Sequence, residues 1–341
     1  MDVLHSIIEI ARHSTPRIVL SEGDDPRVAQ AAARASHDKL AQVIVVAKPA
    51  QFERVADGAP GAESVIVMDP AQSDRAEDYA NAYFELRRHK GLTLDGARKV
   101  TQSPLGFAAM MLRHGDADGT LGGAVHTTAD TVRAALQIVG KAPGVDYVSS
   151  CFLMLLAAPF ERPVVFADCG LILQPTAEEL TSIALASAET LQALTGETPR
   201  IAMLSFSTMG SVAPDAHESI NRLRTARDMV RSLAPDLIVD GEIQFDAAIL
   251  PEVAGQKAPD SILGGQTNVF VFPSLSAGNI GYKIAQRLGR ATALGPILQG
   301  LAHPANDLSR GCSSQDVYQM IAITAAQASA RRGTEVRRHG T

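Results

Sequence analysis

The sequence predicts an α/β protein built from mostly parallel sheets that are covered by helices on both faces. Short runs rich in β-branched residues alternate with stretches long enough for helices of ten or more residues, which is typical of βαβ units. The 341 residues exceed the length of about 250–300 residues at which one hydrophobic core usually stops growing, so we expect two domains. The apolar fraction of 46% is sufficient for sizeable buried cores.

The predicted elements follow in order along the chain. The first half contains strands and helices, including a short strand that leads into a glycine pair and a helix that Thr127 or Thr128 can cap. We expect these elements at Arg17–Leu20, Asp25–His37, Gln42–Val46, Ser64–Met68, Ala76–Arg88, Thr93–Lys99, Asp118–Gly122 and Thr128–Val139. The second half repeats the pattern, at Val164–Ala167, Ala177–Thr195, Ile201–Phe206, Asn221–Ala234, Leu237–Asp240, Val269–Phe272, Ile280–Gly289 and Gln315–Arg331.

Composition and charge argue against several classes of function. The net charge of −6 disfavours non-specific binding to nucleic acid, and the absence of tryptophan disfavours base-stacking surfaces. The longest apolar run, Cys151–Phe160, is shorter than the roughly 18 residues typical of a membrane span, and the N-terminus does not resemble a signal peptide. Three cysteines without a C-x-x-C pair are typical of a reducing cytoplasm and predict neither disulfides nor a zinc site.

The segment Asn306–Asp316 is a polar, glycine-containing loop that leads into an apolar-periodic helix. The start of a helix exposes unpaired N–H groups and a partial positive charge, so it attracts anions. Ser309 adds a hydroxyl donor, Arg310 a guanidinium that matches two phosphate oxygens, and Gly311 permits close approach of the backbone. The spacing therefore predicts a cradle for an oxygen-rich anion.

The same residues also have purely structural interpretations. Ser313-x-x-Asp316 fits a capping box, with Ser313 as the N-cap and an acidic residue three positions later. Ser309 fits a turn residue equally well, and Arg310 fits a surface ion pair. From spacing alone, both interpretations stay open.

Two more loops have the same chemical character. In the segment Gly122–Arg133, glycines follow a strand, hydroxyl groups open a helix, and an arginine lies one turn in, although Thr127-x-x-Asp130 also fits a cap. The segment Ser205–Ser211 follows another strand with small hydroxyl-bearing residues. Because ligands of open α/β sheets bind beyond the carboxyl ends of strands, these loops are candidate binding segments.

Other candidate residues have competing interpretations. His126 fits either a general base or a structural histidine, and Cys312 fits either an acyl-accepting nucleophile or a small, partly buried residue. A group of carboxylates is a weaker candidate for a divalent metal, since its members straddle a strand end. This group is Asp236, Asp240, Glu242 and Asp246.

At these motifs the chain resembles the phosphate acetyltransferase (phosphotransacetylase) family, in its short form. The resemblance is carried by Arg17–Arg27, Gly119–Pro143, Val239–Ser261, Phe272–Gly300 and Asn306–Gly311. It implies reversible acetyl transfer between CoA and inorganic phosphate, with CoA and acetyl-CoA as substrates and no tightly bound cofactor or metal. It also implies a cytoplasmic homodimer of two three-layer α/β/α domains, similar to isocitrate and isopropylmalate dehydrogenases. The expected domains are residues 1–145 plus 300–341 and residues 146–299, with the active site in a cleft between them.

The resemblance also implies roles for individual residues. Asp316 takes the proton of the CoA thiol, Ser309 orients the thiol or stabilises the transition state, and Arg310 holds the phosphoryl group. Arg87 and Arg133 bind CoA or phosphate. The other expected binding residues are Gly311, Thr127, Thr128, Ser207, Thr208 and Asn279. The chain departs from the family pattern at Ser21, Gln266, Ser274, His303 and Ala305, and the lost positive charge at 266 and 303 is expected to weaken CoA binding.

The difference in pKa between a thiol and a carboxylate bears on the proton transfer. A thiol and a carboxylate with ordinary pKa values of ~8.5 and ~3.9 differ by about 4.6 units, which makes the transfer uphill by roughly 6 kcal/mol. Transfer must therefore be concerted with attack on the carbonyl, or the carboxylate must be perturbed by its surroundings. We expect direct transfer in a ternary complex rather than through an acylated Cys312.

Three other functions remain as alternatives. Butyryl or propionyl transfer is the nearest, because pocket size cannot be derived from the sequence. A metal-dependent hydroxy-acid dehydrogenase of the related fold requires a carboxylate cluster and a nicotinamide site, for which the sequence offers no convincing residues. A non-catalytic regulatory module of the same fold is expected to lose the Ser-Arg pair or the Asp, and this chain has both.

Overall fold

The computed structural model describes residues 3–211 and 218–339, and the side chains of residues 332–339 lie outside that description. The chain divides into two compact units. Unit 1 combines Met1–Gly144 with Leu301–Thr341, and unit 2 is Val145–Gly300. Each unit is built around its own sheet, which packs against helices of the same unit.

Unit 1 contains a five-stranded sheet in which every strand pair is parallel. The strands are β1 (Arg17–Leu20), β2 (Gln42–Val46), β3 (Ile66–Met68), β4 (Gly119–Gly122) and β11 (Ala305–Asp307). Their order across the sheet is β11-β4-β1-β2-β3. The last strand therefore returns late in the sequence to join a sheet that begins near the N-terminus.

The helices of unit 1 lie before, between and after these strands. They are α1 (Val3–Ser14), α2 (Pro26–His37), α3 (Pro49–Val55), α4 (Ala76–Arg87), α5 (Leu94–Thr101), α6 (Pro104–Arg113), α7 (Thr128–Ala134) and α13 (Ser314–His339). A π-helical turn at Ala135–Val139 continues α7. Two single 3₁₀ turns lie at Ala62–Ser64 and Arg88–Lys90.

Helix α2 illustrates why the sequence folds this way. Asp25 caps it by accepting a hydrogen bond from the amide of Arg27, and Pro26 occupies the first turn, where no backbone N–H is needed. Its alanines allow close packing against the sheet. The buried residues of this helix are Val28, Ala29, Ala31, Ala32, Ala33 and Ala35.

Unit 2 contains a six-stranded mixed sheet with the order β10-β5-β6-β9-β7-β8. The strands are β5 (Ser149–Leu155), β6 (Pro163–Ala167), β7 (Arg200–Leu204), β8 (Ile238–Ile243), β9 (Val269–Val271) and β10 (Thr292–Gln299). Strand β5 pairs antiparallel with β10 and β6, and the other pairs are parallel. The helices are α8 (Ala177–Thr195), α9 (Glu218–Leu233), α10 (Phe245–Ile249), α11 (Pro251–Lys257) and α12 (Leu275–Arg287).

The structure confirms the predicted fold class, with two sheets in which parallel pairing dominates. The predicted strands and helices have counterparts whose bounds differ by a few residues. The sequence-based prediction missed the helices α1, α3, α6, α10 and α11 and the strands β5, β10 and β11. Strand β10 was hidden by Gly295 and Pro296, where its pairing with β5 shifts register, and β11 is short and largely polar.

The strand order of unit 1 defines a topological switch point. From β1 the chain proceeds to β2 and β3 on one side, and then crosses back to form β4 on the other side of β1. The connections therefore diverge at the carboxyl ends of β1 and β4, where open α/β sheets form a crevice for ligands. Within residues 3–211 and 218–339, no helix has the length and apolar character required to cross a membrane.

Candidate active site

Three loops of unit 1 meet at this switch point. They are Ser21–Asp25 after β1, Gly123–Thr127 after β4, and Leu308–Ser313 after β11. The amide of Ser21 donates to the carbonyl of Leu121 at 3.1 Å, and the amide of Leu308 donates to the carbonyl of Gly122 at 2.7 Å. The two loops that the sequence singled out as anion-binding candidates are thus neighbours.

The buried carboxylate of Glu22 organises the loop that follows β4. It accepts hydrogen bonds from the amides of Ala124 at 2.7 Å, Val125 at 3.0 Å and His126 at 2.9 Å. The Nδ1 atom of His126 lies 2.6 Å from the same carboxylate. This side chain is 2% exposed, so the backbone amides compensate its desolvation. The contact supports the structural interpretation of His126.

Arg27 joins the three loops to one another. Its Nη1 atom donates to the carbonyl oxygens of Arg310 at 2.8 Å and Cys312 at 3.0 Å. Its Nη2 atom donates to the carbonyl oxygen of Ala124 at 2.8 Å and to Asp25 at 2.9 Å. The hydrogen bond from Arg27 is the main cause that lowers the pKa of Asp25, since it stabilises the ionised carboxylate.

The Ser309–Gly311 turn presents exposed groups next to Arg27. The hydroxyl of Ser309 accepts a hydrogen bond from the amide of Gly311 at 3.3 Å. The side chain of Arg310 is exposed, and within the described part of the chain no carboxylate pairs with it. The described residues thus give no support to the ion-pair interpretation of Arg310, and among them its guanidinium is open to an external anion.

Asp316 forms the capping box that the sequence allowed. Its Oδ2 atom accepts from the amide and the hydroxyl of Ser313, both at 2.8 Å, and its own amide donates to the Ser313 hydroxyl at 3.2 Å. The Oδ1 atom of the half-buried carboxylate makes no hydrogen bond to a described residue. The cap thus fixes one oxygen and leaves the other without a hydrogen bond to a described residue.

Arg133 lines a cavity of about 360 Å³ within unit 1. Its guanidinium is held by Asp130 at 2.6 Å, and Asp130 also accepts from the hydroxyl of Thr127, the N-cap of α7, at 2.7 Å. The same cavity is lined by Lys99, so two cationic side chains face it, and further lining residues are Tyr83, Val100, Ser103, Leu105, Gly106, His126, Ala134, Gln137 and Ile138. The exposed Thr128 follows the cap as the first residue of α7.

Arg87 lies at the end of α4, close to this cavity. Burial raises the pKa of Tyr83, and the nearby Arg87 offsets part of that effect. Since Tyr83 lines the cavity, the structure brings Arg87 and Arg133 to the same region of unit 1. Ser309 and Arg310 lie on the neighbouring loop, which Arg27 ties to the loop of His126.

In unit 2, the other predicted binding residues are engaged internally. The buried hydroxyl of Ser207 lies 2.9 Å from that of Ser211, and that of Thr208 donates to Gln244 at 3.2 Å. The buried Glu242 anchors their loop by accepting from the amide of Gly210 at 2.9 Å. Asn279 donates its side-chain amide to the carbonyl of Cys169 at 3.1 Å. Their substrate contacts remain predictions.

Three of the four acidic residues considered as a metal site are paired, each with a different cation. Asp240 bonds Arg231 at 3.0 Å, Glu242 bonds Arg224 at 2.6 Å, and Asp246 bonds Lys257 at 2.7 Å. Across residues 3–211 and 218–339, no group of three potential metal-ligating side chains converges. These carboxylates therefore stabilise the loops of unit 2 by ion pairing.

Cys312 is buried beneath the candidate loop. Its Sγ atom lies 3.9 Å from the Nη1 atom of Arg27. Burial raises the pKa of the thiol, and Arg27 offsets part of that effect. A buried, protonated thiol is a poor nucleophile, which favours the structural interpretation of this cysteine.

Three residues that the structure places at the switch point were not among the residues predicted from the sequence. Glu22 and Arg27 organise the loops, and the buried Asp307 ends β11. All three lie in segments that carried the family resemblance. The available signal was Glu22, a charged residue shortly after the apolar strand β1, where burial demands a partner.

Comparisons with known proteins agree on one family. A family model described as phosphate acetyl/butaryl transferase matches residues 2–325. The chain is 50% identical over 330 residues to the phosphate acetyltransferase of Paracoccus denitrificans, covering 96% of this chain and 99% of that relative. The crystal structure of a phosphotransacetylase from Streptococcus pyogenes superposes with a TM-score of 0.89 at 43% identity, covering 96% of this chain and 98% of that one.

A more distant structure shares only the fold. It is the 4-hydroxythreonine-4-phosphate dehydrogenase of Klebsiella pneumoniae, with a TM-score of 0.50 at 14% identity, covering 92% of this chain and 99% of that one. This likeness agrees with the dehydrogenase-like fold expected from the sequence. The matched family model, the curated relative and the solved structure lead to the same conclusion: the chain belongs to the phosphate acetyl/butaryl transferase family.

Proposed function

We propose that this chain catalyses the reversible reaction of acetyl-CoA with inorganic phosphate to give acetyl phosphate and CoA. The observation that carries the proposal is the exposed Arg310 guanidinium, which no described carboxylate neutralises, on a loop held in place by Arg27. An unpaired guanidinium on a rigid loop is suited to binding a phosphoryl group. The names of the relatives favour acetyl as the acyl group.

Arg310 and the Ser309–Gly311 turn bind the phosphoryl group of acetyl phosphate in this proposal. The sulfur of CoA attacks the acetyl carbonyl carbon, and the thiol proton passes to the unoccupied Oδ1 atom of Asp316. A C–S bond forms, the C–O bond to phosphate breaks, and inorganic phosphate leaves with the electron pair. The uphill proton transfer is tolerable because it is concerted with this attack.

The tetrahedral intermediate requires donors that are fixed before the reaction begins. Our candidates are the Ser309 hydroxyl and the backbone amides of the Ser309–Gly311 turn. Arg27 holds the carbonyl oxygens of Arg310 and Cys312, so the orientation of the adjoining peptide groups is set in advance. No acyl-enzyme is involved, because Cys312 is buried and its pKa is raised.

CoA is a substrate in this proposal, and the chain holds no resident cofactor. The cavity of about 360 Å³ in unit 1 is a candidate for part of CoA, with Arg133 and Lys99 facing its phosphates and Arg87 nearby. The other proposed substrate-binding residues of unit 1 are Gly311, Thr127 and Thr128. We further propose that Ser207, Thr208 and Asn279 of unit 2 contact substrate.

We also propose that the chain is a homodimer that functions in the cytoplasm. Helix α12 and its C-cap residue form an apolar stripe at helical spacing, in which Ile280, Ile284 and Leu288 are 57%, 54% and 81% exposed. A stripe of this kind is typical of a surface that a second copy covers. The cysteines Cys151, Cys169 and Cys312 are free thiols, as is usual in a reducing compartment.

The proposed activity is tested by mixing purified protein with acetyl phosphate and CoA and following thioester formation by its ultraviolet absorbance. We expect thioester to form with acetyl phosphate and more slowly with butyryl phosphate at equal concentration. Faster turnover of butyryl phosphate assigns the chain to the longer acyl group. The absence of thioester with either donor, in a folded protein, contradicts the proposal.

A further inference from the structure

The carboxyl group of Asp307 differs from the other buried carboxylates at the strand ends that the structure describes. It is the last residue of β11 and is completely buried, yet neither of its oxygens has a hydrogen-bond partner among the described residues. Glu22, Asp168 and Glu242 are buried similarly, but each accepts hydrogen bonds from backbone amides. An unpaired buried carboxylate is costly, so its position requires a reason.

Asp307 lies against the turn that follows β4. A Cβ atom placed on Gly123 would lie 2.1 Å from its Oδ1 atom, and Gly123 adopts a φ of +104°, which disfavours other residues. The amide of Leu308, the next residue, donates to the carbonyl of Gly122. Asp307 therefore occupies the contact between the two loops that carry Thr127 and Arg310.

The groups that face Asp307 do not neutralise it as an anion. Helix α7 contributes the hydroxyls of Thr128 and Thr131, which together with the Leu308 amide lower its pKa without completing a hydrogen bond. The segment after β1 contributes the carboxylate of Glu22, whose charge raises it. From α13, β11 faces Thr324 and Gln327, which are neutral and bond Asn306.

Burial is the largest cause and raises the pKa of Asp307 to about 6. The side chain is therefore neutral below that pH and anionic above it. Because it lies two residues before Ser309 and three before Arg310, its charge changes at the base of the proposed anion cradle. A negative charge there opposes the binding of a second anion.

We propose that Asp307 is a positioning residue that sets the anion affinity of the Ser309–Gly311 turn, which binds most tightly when Asp307 is protonated. This inference rests on the proposed function in that it concerns the same turn, but it predicts a binding property that exists without turnover. The neutral acid fills the space beside Gly123 and keeps the loops after β4 and β11 in contact. The anion retains the shape but repels a phosphoryl group.

Inorganic sulfate is the probe, because its charge is constant between pH 5 and pH 8. Sulfate affinity is measured by calorimetry for the wild type and for Asp307→Asn, a neutral isostere. We expect the two affinities to converge at pH 5, and the wild type to bind about fivefold more weakly than Asp307→Asn at pH 8. A ratio that does not change with pH overturns the proposal.

Two controls distinguish the effect of the Asp307 charge on sulfate affinity from general effects of pH and net charge. Asp95→Asn removes the same charge at a side chain that is 84% exposed, and it should follow the wild type at each pH. If Asp307→Asn does not fold, the wild type is compared with Arg310→Ala. The sulfate affinity of the wild type must then fall more than that of Arg310→Ala as pH rises through about 6, and an equal fall overturns the proposal. If the wild type shows this sulfate profile but catalyses no acetyl transfer, the proposed function is contradicted and the inference about Asp307 stands.

Discussion

Arg27 donates a hydrogen bond of 2.8 Å to the carbonyl oxygen of Arg310, which lies 283 positions later in the chain. The contact joins the start of α2 to the turn that precedes α13. The exposed guanidinium of one arginine is thus positioned through the backbone by the partly buried guanidinium of another. Preorganisation of this kind is what a loop needs if it is to stabilise charge in a transition state.

Replacement of Arg27 by lysine is expected to reduce kcat/KM for acetyl phosphate by about 100-fold. A single ammonium nitrogen cannot span the acceptors that the separate Nη1 and Nη2 atoms reach. Arg98→Lys is the matched control, because Arg98 pairs with Glu77 and Asp95 at the surface of α5. Steady-state kinetics on both variants check the prediction. Equal kinetics in Arg27→Lys and Arg98→Lys argue against a positioning role.

The two roles of Asp316 can be separated by a pair of variants. Ser313→Ala removes the capping partner and should lower the free energy of unfolding by about 1 kcal/mol while kcat changes only a few-fold. Asp316→Asn should lower kcat by about 10²–10⁴-fold, because the proton acceptor is lost. Turnover and urea denaturation are measured on both. Near-normal kcat in Asp316→Asn rules out the base assignment.

Cys312→Ala distinguishes direct transfer from an acyl-enzyme route. The thiol is 7% exposed and its pKa is raised by burial, so we expect turnover within about twofold of the wild type. The measurement is kcat together with circular dichroism to establish the fold. A folded Cys312→Ala protein without activity supports the acyl-enzyme instead.

The titration of Asp307 predicts a pH dependence of stability. Its pKa is raised from 3.8 to about 6, so the native state bears an increasing cost as pH rises between these values and the full cost above them. Asp307→Asn should therefore raise the free energy of unfolding by about 3 kcal/mol at pH 8 and by roughly half as much at pH 5. Denaturation at both pH values provides the check, and a stabilisation independent of pH contradicts it.

Much of the fold could be predicted from the sequence, because the strands of unit 1 are apolar runs and their helices carry clear caps. Strand β11 could not, since Ala305, Asn306 and Asp307 have no β-pattern of their own and extend only because they pair with β4. Strand β5, Ser149–Leu155, is almost fully buried and so lacks the alternation that marks an exposed strand.

The candidate site was predicted in part. The exposed turn at Ser309 and Arg310 and the two caps at Thr127 and Ser313 were evident from spacing alone. The functions of Glu22 and Arg27 were not, because their partners lie about 100 and 283 positions away and are mostly backbone atoms. Contacts of this range depend on the strand order, which no local pattern reveals.

The measurement that tests the central claim most directly is kcat/KM for acetyl phosphate in Arg310→Ala, with Arg88→Ala as the control. Arg88 is an exposed arginine of unit 1 paired with Glu85, so its removal changes the net charge equally. If the Arg310 guanidinium binds the phosphoryl group, Arg310→Ala should lose at least about 100-fold in kcat/KM, and Arg88→Ala should match the wild type. A folded Arg310→Ala enzyme with the kcat/KM of the wild type would contradict the account.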